Sequence, residues 1–271
     1  MSVAAFKPSI AHGMRALILE KLHVLETEHR IRILFAIESG SRAWGFPSPD
    51  SDYDVRFVYA REMDWYLSIA PGKDVIELPI EGDLDINGWD IQKALSLLIK
   101  PNPVLLEWLS SPVRYIWHEE ICDALTDFAD QVAHGPACLH HYRRLSARQW
   151  DVYIAGKSEV NLKKYFYVVR PAMAIKWIKH YPDKAPPMNF QALMQGIEPS
   201  EAFTNALEDL LIAKSQAKEV GKAPRIDVID DFITQQLDWA AQAASNVKAV
   251  QPDLAIPANR LFRSIIKAEL A

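Results

Sequence analysis

The residues best placed to do chemistry lie in the run Gly40-Ser41-Arg42-Ala43-Trp44-Gly45-Phe46-Pro47-Ser48-Pro49-Asp50-Ser51-Asp52-Tyr53-Asp54-Val55. A Gly-Ser pair follows a strand-like stretch, and an Asp-x-Asp opens the next one. Glycine allows positive φ and close approach of the backbone to a ligand. Serine adds a hydroxyl to its N–H, so Gly40 and Ser41 suit a phosphate chain. Asp52 and Asp54 alternate along a strand and therefore share a face. Two carboxylates at that distance repel unless a cation or a proton lies between them. Magnesium takes carboxylate oxygens together with substrate phosphates. A phosphate cradle with paired carboxylates is what metal-assisted phosphoryl or nucleotidyl transfer requires. A Ser/Pro/Asp surface turn would account for Pro49-Asp50-Ser51-Asp52 alone; the Gly-Ser upstream is what favours the metal reading. Arg42 adds a fixed positive charge for a phosphate. Trp44 reads either as a wall for a base or as half-buried core.

A second constellation is Asn161-Leu162-Lys163-Lys164-Tyr165-Phe166-Tyr167-Val168-Val169-Arg170-Pro171. Lys163, Tyr167 and Arg170 fall at i, i+4 and i+7 on one helical stripe, with Lys164 beside it. Cations with an aromatic ring suit a triphosphate and a base; an exposed basic face over a core of Tyr165 and Phe166 is the plainer alternative. Pro171 predicts a kink or a break. His140, His141, Arg143, Arg144 and Arg148 form a further basic cluster. It reads first as a solvated face paired with acids and second as an RNA- or phosphate-facing surface. The two histidines are adjacent rather than four apart, a poor spacing for a metal.

These groups need elements to hold them. Gly13 to His29 reads as an amphipathic helix with Leu17, Leu22 and Leu25 on one side. Ile31 to Ile37 and Asp52 to Tyr59 read as strands, and Glu38 to Asp52 as loop or short helix. Asp64 to Ile69 suggests a helical turn. Val75 to Ile80 and Leu84 to Asn87 read as strands joined at Glu81-Gly82-Asp83. Asp90 caps a helix to Ile99, Asn102-Pro103 starts another ending near Ser110, and Val113 to Trp117 is one more strand. From His118 the pattern turns helical: Asp123 to Ala133, Cys138 to Gly156, Val160 to His180, Ser200 to Val220, Ile229 to Val247 and Asn259 to Leu270. The expected fold class is α+β, with a mixed-sheet domain over residues 1–117 and a helical domain over 118–271 that closes a cleft.

With 271 residues the chain is long enough for one large domain or two modest ones. A net charge of -5 gives no global basic field, so nucleic acid would need a local basic patch. Cys122 and Cys138 lack metal spacing and read as small apolar filler. With no export signal at Met1 to Pro8, they suggest a reducing cytoplasm. No apolar run is long enough to cross a bilayer.

Glu38-Ser39-Gly40-Ser41-Arg42-Ala43-Trp44-Gly45 followed by Ser51-Asp52-Tyr53-Asp54-Val55-Arg56 resembles the bacterial predicted nucleotidyltransferase family, also called the RNA repair pathway DNA polymerase β family. Asp85-Ile86-Asn87-Gly88-Trp89-Asp90 is similar to that family too. So are Asn102-Pro103 with Leu106-Glu107-Trp108-Leu109-Ser110-Ser111-Pro112, and Lys163-Lys164-Tyr165 with Arg170-Pro171. The likeness covers roughly residues 30 to 195. It implies the polymerase β-like nucleotidyltransferase fold, Mg²⁺ (or Mn²⁺) and an NTP substrate. It implies Gly40 and Ser41 at the triphosphate and Asp52 and Asp54 as metal ligands. Sites of this kind carry a third carboxylate on a neighbouring strand. Asp85 fits best, because Leu84 and Ile86 would face inward; Asp90, a helix cap, and Glu77 are rivals.

Three functions follow as expectations. The first is transfer of an NMP from an NTP to a hydroxyl, with release of pyrophosphate, the acceptor being an RNA end, tRNA, a protein or a small molecule. The second is non-catalytic nucleotide or RNA binding. The third is an AMP-transferring regulator of toxin-antitoxin type.

Overall fold

The computed structural model describes residues 10–100, 102–132, 134–216, 221–244 and 253–268. The predicted helix ends at Ala133, Val220, Val247 and Leu270 lie outside them. Two compact units form. Among the described residues, one is built from 10–43, 52–132 and 253–268, and the other from 44–51, 134–216 and 221–244.

In chain order the first unit begins with helix α1 (His12–His29), strand β1 (Ile31–Glu38) and the short helix α2 (Gly40–Trp44). It resumes with β2 (Tyr53–Arg61), α3 (Met63–Tyr66), β3 (Val75–Glu77), β4 (Leu84–Asp90), α4 (Ile91–Ile99), α5 (Pro103–Leu109), β5 (Arg114–Trp117) and α6 (Glu119–Ala129). The sheet order is β3-β4-β2-β1-β5. β2 and β4 run parallel; the other pairs are antiparallel. β1 is an interior strand, between β2 and β5, and buried almost throughout, which explains its Ile/Leu/Phe/Ala run from Ile33 to Ile37. β4 instead alternates, burying Leu84, Ile86 and Gly88 and leaving Asp85 and Asn87 on the other face. α1 packs Ile18, Leu22 and Leu25 onto Ile33, Phe57 and Ile86. Leu17 was expected on that stripe but is 40% exposed, and Ile18 takes the inward position. Asp90 and Asn102 cap α4 and α5 as read, accepting from the N–H of Gln92 and of Val104.

The second unit contains α7 (Gly135–Tyr153), β6 (Glu159–Asn161), α8 (Leu162–His180), α9 (Phe190–Ile197), α10 (Glu201–Gln216), β7 (Lys222–Pro224) and α11 (Asp227–Ala244). The chain then adds α12 (Ala255–Lys267) to the first unit, where it packs on α4, α6 and β2. α8 is the central helix of its unit, packed by α7, α9 and α11. Its residues from Tyr165 to Ile175 are buried on nearly every side. That burial carries the helix unbroken through Pro171, where the sequence predicts a kink or a break. α9 and the β6–β7 pair were not read from the sequence; the strands have three residues each, too few to show an alternating pattern. No described helix is long and apolar enough to cross a membrane.

Candidate active site

The antiparallel register sets Glu38 opposite Val55, so the exit of β1 lies beside the entry of β2. Two hydrogen bonds fasten them, one between backbones and one from backbone to side chain. The Ser39 N–H donates to the Asp54 carbonyl at 2.7 Å. The Asp54 N–H donates to Glu38 Oε1 at 2.9 Å. Gly40 follows with φ +58°, and a Cβ built there would lie 1.9 Å from Asp54 Oδ2. Glycine is therefore required twice, for the left-handed backbone and for the room its missing side chain gives the carboxylate. The Gly-Ser bend and the Asp-x-Asp are one packed structure. Arg42 closes it from outside: its guanidinium lies 3.9 Å from the centroid of the Tyr53 ring, and its Nε donates to the Asp52 carbonyl at 3.1 Å.

β2 and β4 pair in parallel with Asp54 beside Asp85. Arg56, two residues along the same face, reaches both. Its Nη2 donates to Asp54 Oδ1 at 3.2 Å and to Asp85 Oδ2 at 2.7 Å. Burial raises the Asp54 carboxyl above the usual range; Arg56 opposes this, and the charges of Asp85 and Asp52 add to it. Behind it, Glu38 is fully buried. Burial pushes its carboxyl up to about 7, although the Tyr115 hydroxyl donates to Oε2 and the Asp54 N–H to Oε1. The rivals for third carboxylate have other work. Asp90 is a buried helix cap that also accepts from the Tyr66 hydroxyl, and Glu77 accepts from Asn87.

A divalent metal fits these donors in kind. Asp54 is a carboxyl whose burial works against its charge, and a nearby cation would relieve that. The arrangement differs from the expected convergence of Asp52, Asp54 and Asp85. Among the described residues no three His, Cys, Asp or Glu side chains form a group that could hold a metal. Arg56 is the cation shared by Asp54 and Asp85.

The segment between the two motifs belongs to the helical unit. Phe46 is 2% exposed and stacks on Phe166, centroids 4.8 Å apart, with Phe190 edge-on at 6.1 Å. The buried Lys214 donates to the Phe46 carbonyl at 2.6 Å, and burial lowers its amine to about 8. Gln191 donates to the Gly45 carbonyl at 2.9 Å. Gly45 has φ +91°, and a Cβ there would meet Gln191 Oε1 at 2.1 Å. Asp50 binds Lys163 at 2.8 Å, which holds its carboxyl below the usual range.

That segment changes the reading of α8. Lys163 is the partner of Asp50. Lys164 lies 5.0 Å from the ring centroids of both Tyr153 and Tyr167. Tyr167 meets the half-buried Trp44 edge-on at 6.1 Å. Arg170, expected on the same helical stripe, is 3% exposed; its Nε donates to the Met188 carbonyl and its guanidinium lies 4.8 Å from the Trp44 ring. Gly40, Ser41, Arg42, Asp52, Asp54 and Asp85 thus belong to the sheet unit, and Lys163, Lys164, Tyr167 and Arg170 to the helical one. Sequence reasoning missed Arg56 and Glu38. Arg56 carried a signal, since it alternates with Asp54. Glu38 carried only its place at the end of an apolar strand.

Residues 14–264 match the family model described as RlaP, RNA repair pathway DNA polymerase beta family. The chain belongs to that family. It is 40% identical over 254 residues to the Bacillus subtilis (strain 168) protein named "Uncharacterized protein YcgL", covering 94% of this chain and 97% of that one. A nucleotidyltransferase-like protein from Exiguobacterium sibiricum 255-15 aligns over 92% of this chain and 79% of its own, at 10% identity and a TM-score of 0.28, a likeness too slight to bear on the fold.

Proposed function

We propose that the protein is a magnesium-dependent nucleotidyltransferase that moves an NMP from an NTP to a hydroxyl, with an RNA end as the acceptor. The observation that carries this reading is the seating of the Asp54 carboxylate against the backbone of Gly40. It joins the two motifs the chemistry needs. Family membership supports the reaction class and the link to RNA repair.

In this reading Gly40 and Ser41 present backbone N–H groups and a hydroxyl to the triphosphate. Asp52 and Asp54 would hold a divalent cation, and the chemistry it would supply is to draw charge from the phosphates and favour ionisation of the attacking hydroxyl. The acceptor oxygen bonds to the α-phosphorus, the bond to the β-phosphate breaks, and pyrophosphate leaves. Asp85, fixed by Arg56, takes the proton of the acceptor hydroxyl. Lys163, Lys164 and Tyr167 are the groups the reading gives to phosphate and base. Arg170 is given the fastening of Trp44 instead, because it is buried. The buried thiols of Cys122 and Cys138 suit a reducing cytoplasm.

The test is magnesium-dependent release of pyrophosphate from each NTP with RNA, protein and small-molecule acceptors. Product with RNA supports the reading. Modification of a co-purified protein alone would favour the AMP-transferring regulator. Tight NTP binding with no product, unchanged in Asp52→Asn/Asp54→Asn, would favour a binding protein.

A further inference from the structure

α7 carries a groove of about 740 Å³ that the reading above does not use. His141, Arg143, Arg144 and Arg148 line it with Asp151, and Ala147 and Val152 are among its apolar lining. The cluster was expected to be a face paired with acids. Among the described residues, Arg143, Arg144 and Arg148 make no ion pair. With His neutral, three arginines and Asp151 leave this helix at +2 (3 − 1), in a chain whose net charge is -5. Among the described residues, this face of α7 thus carries a net positive charge held by no ion pair.

We propose that this groove binds single-stranded RNA through its phosphates. The proposal rests on the nucleotidyltransferase reading and supplies its acceptor with a binding surface. His141, Arg144 and Arg148 follow one stripe at i, i+3 and i+7, so they step along the axis by about 4.5 and 6 Å. Arg143 stands beside that stripe. Arginine presents a planar fork that matches a phosphate. Val152 is 52% exposed, and the next residue is Tyr153, whose ring carries Lys164. Charge interleaved with an aromatic ring suits a strand whose bases are free to stack.

Two other partners fit less well. A stable protein interface wants an uncharged, anchored core, whereas this lining is mostly charge. A membrane-surface helix wants a wide exposed apolar face, but the apolar side of α7, Cys138, Leu139 and Tyr142, is buried in its own unit.

The test uses the full chain and a 5′-labelled single-stranded RNA of about 15 nucleotides, read by fluorescence anisotropy between about 50 and 200 mM salt. Replacing Arg143, Arg144 and Arg148 together by Gln should weaken binding by about tenfold or more. It should also flatten the plot of log K against log salt by about 2, near 0.7 for each lost phosphate contact. NTP binding, read by thermal shift with magnesium, should not change. Asp52→Asn/Asp54→Asn should bind the RNA as wild type does. Photo-crosslinking of 4-thiouridine RNA to the wild-type protein should label the peptide of residues 135–153, and it decides the matter if the triple variant does not fold. Wild-type affinity and slope in the triple variant, crosslinks confined to other peptides, or capture of polyglutamate but not RNA would each overturn the proposal. Groove binding without NTP turnover would sink only the transferase reading; turnover with an indifferent groove would sink only this one.

Discussion

Gly40 has no room for a side chain. A methyl there would meet the Asp54 carboxylate, on a backbone already at positive φ. Gly40→Ala should cost about 1–2 kcal/mol through the left-handed backbone alone. It should cost far more in activity, because a carboxylate displaced by about 1 Å can lose about 100-fold in rate. A modest drop in melting temperature with a large loss of pyrophosphate release is the expected pair; full activity in the variant would show that Asp54 need not sit there. Glu38 gives a prediction of another kind. Its carboxyl is raised from 4.5 to about 7, chiefly by burial. Between those values the folded protein keeps a proton that the unfolded chain has released, so stability falls as pH rises through that window. The total is on the order of 3 kcal/mol. Glu38→Gln keeps an acceptor for the Asp54 N–H and should remove most of this fall. Melting temperatures at pH 5 and pH 8 measure it, and an unchanged difference in the variant would place the titration elsewhere.

The stretch from Trp44 to Ser51 decides how much an ion pair matters at the level of an element. Asp50 is 45% exposed and its pair with Lys163 is screened by water, so Asp50→Asn should change stability by less than about 1 kcal/mol. Phe46 is buried between aromatic rings, so Phe46→Ala should cost about 3–5 kcal/mol. Urea unfolding of the two variants checks the order, and an equal loss in both would contradict it. The same stretch marks the limit of what the sequence reveals. Gly40, Asp54 and the β4 face that carries Asp85 were legible because strand alternation and glycine chemistry are local. The anchoring of Phe46 by Lys214 was not, since its partner lies 168 residues away. Arg170 was assigned by helical spacing to one stripe with Lys163 and Tyr167, and tertiary packing buries it. Pro171 was read as a kink or a break, and the helix runs on through it: local rules do not count the helices packed around α8.

At the scale of the molecule, the chain builds its sheet unit from three separate stretches and its helical unit from the rest. Charge follows that division unevenly, with acids at the start of β2 and arginines in excess on α7. Ligands that bind only the folded form raise its stability, by about 2.7 kcal/mol at a hundred times Kd. An NTP with magnesium should therefore raise the melting temperature, and a screen of the four NTPs should single out the one used; no shift with any NTP would count against a nucleotide site. The claim at the centre is that Asp52 and Asp54, at the entry to β2, serve nucleotidyl transfer. It is tested most directly by pyrophosphate release from the preferred NTP with a single-stranded RNA acceptor, in wild type and in Asp54→Asn, with and without magnesium. We expect RNA lengthened by one nucleotide and pyrophosphate in equal amount from the wild type with the metal, and a loss of about 100-fold or more without the metal or without the acid. Equal turnover in wild type and Asp54→Asn, or none in the wild type with any NTP and acceptor, would contradict it.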